Sequence, residues 1–66
     1  MDEMIKSWLV EMYDREIESA EGSIEQERCW ANGAPDYATT AMHMDNMERF
    51  EEYIRTLESL KDEVKE

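Results

Sequence analysis

The stretch VEMYDREIESAEGSIEQERCWANGAP, residues 10–35, decides the fold. Its apolar residues Val10, Tyr13, Ile17, Ala20, Ile24 and Ala31 step by threes and fours with one rung skipped, the spacing that keeps side chains on one face of an α-helix. The pattern then stops at Asn32-Gly33-Ala34-Pro35. Beyond that break a second ladder, Met47, Phe50, Ile54, Leu57 and Val64, repeats the same steps and also skips a rung. The two ladders predict an all-α fold, an antiparallel two-helix hairpin with helix one over about residues 2–31 and helix two over about 35–64. The whole chain of 66 residues then forms one helical-hairpin domain.

The ends of the elements follow from local chemistry. Asp2 can accept from the free amides that open helix one, and Asn32-Gly33 tolerate the left-handed conformation of a helix C-cap. Pro35 suits the first position of helix two, and Asp36 suits its amino-terminal dipole. Ala34 has no side-chain acceptor, which leaves Asp36 as the alternative cap, or else a frayed first turn. With the turn near Gly33, facing residues have numbers that sum to about 67, so Ala20 meets Met47, Ile17 meets Phe50 and Tyr13 meets Ile54. Apolar meets apolar along the rod.

Seven Lys and Arg against eighteen Asp and Glu give a formal charge of -11, shared by both halves of the chain. A field of that sign repels nucleic acid and anionic membrane and attracts basic protein surfaces. The single cysteine, Cys29, offers no internal disulfide, and no apolar run reaches the ~20 residues that span a bilayer, so a cytoplasmic protein is expected.

Apolar residues also lie off the central seam: Ile5, Trp8, Leu9 and Met12 on helix one, Met42, Tyr53 and Leu60 on helix two. Two helices of this size bury too little to fold comfortably alone, and a second hairpin would bury both sets. The expected state is a homodimer, or a higher even oligomer, forming a helical bundle.

Two constellations are candidates for binding. Glu11, Asp14, Glu18, Glu21 and Glu25 recur every three or four residues, successive carboxylates ~4.5–6 Å apart along the axis, near the ~7 Å spacing of phosphates along one nucleic-acid strand. Such a row can imitate a polyanion and occupy a basic groove; its ordinary alternative is a solvated face. Conventional i,i+4 pairs account for other charges: Glu11 with Arg15, Asp45 with Arg49 and Glu51 with Arg55. At the turn, Arg28, Trp30 and Tyr37, with the free amides opening helix two, could hold a nucleotide or cyclic nucleotide signal. The alternative there is that the two rings cover the end of the bundle while Arg28 pairs with Glu25. Gly22, in mid-helix, would allow another helix to approach.

No catalytic, metal or cofactor site is expected. His43 among Met42, Met44 and Met47 reads as core filling rather than a soft-metal site, and one Cys with one His is too few for structural zinc. Asp14, Glu16 and Glu18 lack the glycine of a calcium loop. Cys29 and His43 lie at unequal distances from the bend with no dry cleft between them.

In length, charge and helicity the chain resembles small acidic helical proteins encoded by bacteriophages and mobile elements that block host defence enzymes, anti-CRISPR proteins among them. That resemblance implies a non-enzymatic inhibitor that binds a basic surface of a host protein.

Overall fold

The computed structural model of the chain describes residues 2–66. Helix α1 spans Glu3–Asn32 and helix α2 spans Tyr37–Lys65, and they pack against each other as an antiparallel hairpin with no strand among the described residues. The Cα trace extends 51 × 14 × 9 Å, a flat rod two helices wide.

Each start is fixed by an aspartate. The Asp2 carboxylate accepts from the Met4 amide at 2.7 Å, as the sequence suggests. Helix two begins two residues later than Pro35. Asp36 is extended (φ -146°, ψ 167°), and its Oδ1 accepts from the Thr39 amide at 2.7 Å while its carbonyl takes Thr40 Oγ1 at 3.0 Å. The N-cap is thus Asp36, and the first turn does not need Ala34. The amide hydrogen bond holds the Asp36 carboxyl below its ordinary value of 3.8.

Helix one closes differently from expectation. Gly33 sits at φ -97° and ψ 3°, and no described residue has positive φ, so the cap is not left-handed. Gly33 N donates to the Cys29 carbonyl at 3.2 Å and Ala34 N to the Ala31 carbonyl at 3.4 Å, a tightened last turn that satisfies the free carbonyls without glycine's special conformation.

Every residue of both ladders is buried or half-buried, with Ala20, Ile24 and Leu57 deepest. The pairing register lies later than the turn at Gly33 implied. The cross-helix partners Glu27 and His43, Glu16 and Tyr53, and Asp14 and Lys61 have numbers that sum to 70, 69 and 75. Helix one persists to Asn32 and helix two waits for Tyr37, so the bend centres between Ala34 and Pro35.

Candidate functional site

The skipped rung of each ladder holds a charged residue, and each charge is answered from the other helix. Between Ile24 and Ala31 stands Glu27, whose carboxylate is only 11% exposed. It receives His43 Nδ1 at 2.5 Å, in the tautomer that carries its proton there, and Asn46 Nδ2 at 3.4 Å. The imidazole, 15% exposed, lies against the Trp30 ring with centroids 5.6 Å apart. Between Leu57 and Val64 stands Lys61, whose Nζ donates to Asp14 Oδ1 at 2.8 Å. That hydrogen bond, chiefly, raises the Lys61 ammonium above its ordinary value of 10.5.

His43 thus sits half-buried in the seam, as the core reading expects, and its ring is held there by Glu27 and Trp30. Met42 and Met44 point outward and only Met47 is half-buried. The polar cluster has no unpaired buried side-chain atom among the described residues. Nor do the described residues bring together three His, Cys, Asp or Glu side chains around a metal-sized space.

The helical advance of about 100° per residue sorts α1 into three faces roughly 120° apart. One is the seam; the second carries Ile5, Trp8, Met12 and Trp30; the third carries Glu11, Asp14, Glu18, Glu21 and Glu25. Cross-helix contacts show how α2 continues these faces. Tyr53 donates its hydroxyl to Glu16 at 3.1 Å along the apolar flank, whereas Lys61 reaches Asp14 along the acidic one. Glu16 chiefly, by accepting that bond, raises the Tyr53 phenol above its ordinary 10.0. Met42, Tyr53 and Leu60 thus share one broad side of the flat hairpin with Trp8 and its neighbours. Glu51 and Glu58 join the acidic row on the other side.

The apolar side is open. Ile5, Trp8, Met42, Tyr53 and Leu60 are exposed, Trp8 by 58%, while Leu9 and Met12 are half-covered at the edge of the seam. On the acidic side Glu11 pairs with Arg15 at 3.8 Å, Asp14 with Lys61, and Glu25 with Arg28; Glu18 and Glu21 make no ion pair among the described residues. Asp45 and Arg49 pair at 3.1 Å as the sequence suggests. The expected pair of Glu51 and Arg55 does not form among the described residues; the two line one groove with Met44, Met47 and Glu48. Gly22 is exposed and faces open space.

The turn residues are engaged separately. Arg28 is held by Glu25, Trp30 lies on His43, and Tyr37 is 87% exposed. The Thr39 amide, one of those opening helix two, is already taken by Asp36. Sequence reading missed Glu27 because a glutamate two residues after Glu25 and directly before Arg28 looks like surface charge. The gap it fills in the ladder, facing His43, was the available signal.

No protein-family model matches the chain, and neither a curated protein nor a solved structure matches it. Among the described residues no helix is long and apolar enough to cross a membrane.

Proposed function

We propose that this chain is a non-enzymatic interaction protein whose acidic side binds a basic surface of another protein and blocks it. The observation that carries this reading is the segregation of charge: one broad side of the rod holds Glu11, Asp14, Glu18, Glu21 and Glu25, and Glu18 and Glu21 stand exposed with no ion-pair partner among the described residues. Like charges at spacings of three and four residues cost helix stability, so the row works against the fold that displays it. A basic groove built for a nucleic-acid strand fits such a row, because the carboxylates recur at ~5 Å along the axis of one helix. The partner class is therefore a nucleic-acid-binding protein, of the kind a counter-defence inhibitor would target.

The test is affinity for a panel of basic nucleic-acid-binding proteins across a salt series. Binding that weakens as salt rises, and that disappears in Glu18→Lys combined with Glu21→Lys, supports the proposal. Binding unchanged by that double reversal would defeat it.

A further inference from the structure

We infer that the apolar side is an interface with a second copy of the chain, the two hairpins meeting face to face as a four-helix bundle with both acidic sides outward. This rests on different residues from the proposed partner site and stands without it.

Three observations on the molecule select this occupant. Among the described residues the hairpin fully buries only Ala20, Ile24 and Leu57 of its apolar side chains, a core too small to hold a rod of this length on its own. Its accessible surface is 4972 Å², against roughly 4,400 Å² for a compact chain of its mass. That excess is of the order of the roughly 800 Å² that each partner loses in a standard interface.

The deficit also belongs to the chain itself, so the covering surface has to be present whenever the chain folds. A second copy of the chain meets that requirement. Finally, the charge leaves a single side available for self-contact: at a net charge of -11, acidic sides repel each other, whereas the side bearing Trp8, Met42, Tyr53 and Leu60 can meet its own copy. Trp8 and Tyr53 supply large, rigid contact area of the kind that anchors interfaces.

Sedimentation equilibrium of the full chain, with no partner present, tests this. The expected mass is twice 7.9 kDa or a higher even multiple, with a melting temperature that climbs with chain concentration. Trp8→Lys and, separately, Leu60→Lys should each weaken association by roughly thirtyfold or more, as loss of an interface anchor does. Tyr37→Lys, at an exposed residue off this face, should leave the mass unchanged. In the wild type, Trp8 emission should move to shorter wavelength as concentration rises, read in a Trp30→Phe background. A helical chain that sediments at 7.9 kDa throughout overturns the inference, as does an even oligomer indifferent to both Trp8→Lys and Leu60→Lys. A monomer that hides this face only on adding an apolar peptide overturns it too, since the occupant is then foreign. Failure of partner binding in the same preparation would count against the acidic side alone.

Discussion

Replacing His43 with leucine should destabilise the fold sharply, although leucine suits a helix better and buries more apolar surface. The reason is Glu27. Its carboxylate is 11% exposed and takes its one short hydrogen bond from His43, the Asn46 amide being at the edge of bonding range at 3.4 Å. Removing one partner of a fully buried ion pair costs about 3–5 kcal/mol, because the other charge is left uncompensated. Residual solvent access and Asn46 reduce that here to about 2 kcal/mol, which lowers the melting temperature of a chain this small by roughly 8–16 °C. The converse change, Glu27→Leu, leaves a half-buried imidazole without its carboxylate partner rather than a buried carboxylate without its donor, and should cost about 1 kcal/mol or less. Joining the two substitutions should restore stability nearly to wild type, since both polar groups are gone and the rung becomes apolar. Thermal or urea unfolding followed by circular dichroism, at one chain concentration, closes the cycle. Additive costs in the double variant, or a His43→Leu chain as stable as wild type, would refute the claim that Glu27 depends on His43.

Other consequences can be checked beside it. Above pH 10 the fold should lose stability: the Tyr53 phenol and Lys61 ammonium both have raised values in the folded chain, so their contribution is complete below the ordinary 10.0 and 10.5 and fades as pH climbs through the raised values. Tyr53→Phe with Lys61→Met should flatten that alkaline limb in a pH series of melts. The lowered Asp36 carboxyl acts at the other end, stabilising above its ordinary 3.8 and failing as pH falls through the lowered value; Asp36→Ala should speed amide exchange at Thr39 and Thr40. Gly22→Ala should stabilise the chain by about 1 kcal/mol in thermal melts, because a Cβ there meets nothing within 4 Å.

The hairpin was legible because burial of apolar residues imposes a period, and a period survives in sequence. Tyr13, Ile17, Phe50 and Ile54 could be placed on the seam from spacing alone, and the structure puts all four inside or half-inside. The off-seam set was legible for the same reason, as Trp8, Met42 and Leu60 are regularly spaced residues left over once the seam is assigned. What spacing does not carry is pairing between polar groups. Glu27 and Lys61 were taken as breaks in the ladders, when each is a rung whose charge is met across the seam by His43 or Asp14. The turn also escaped the sequence: a glycine after a helix suggests a left-handed cap, yet Gly33 stays at negative φ because the last turn tightens instead. That choice moved the bend toward Pro35 and shifted the register with it.

The proposed division of the rod into an acidic side that binds and an apolar side that assembles is tested most directly by the affinity of the Glu18→Lys, Glu21→Lys chain for a basic partner, measured beside wild type with sedimentation of both. The account predicts lost binding at unchanged mass and undiminished thermal stability, since both carboxylates are exposed and unpaired among the described residues. Retained affinity, or a reversal that dissociates the oligomer, would contradict it.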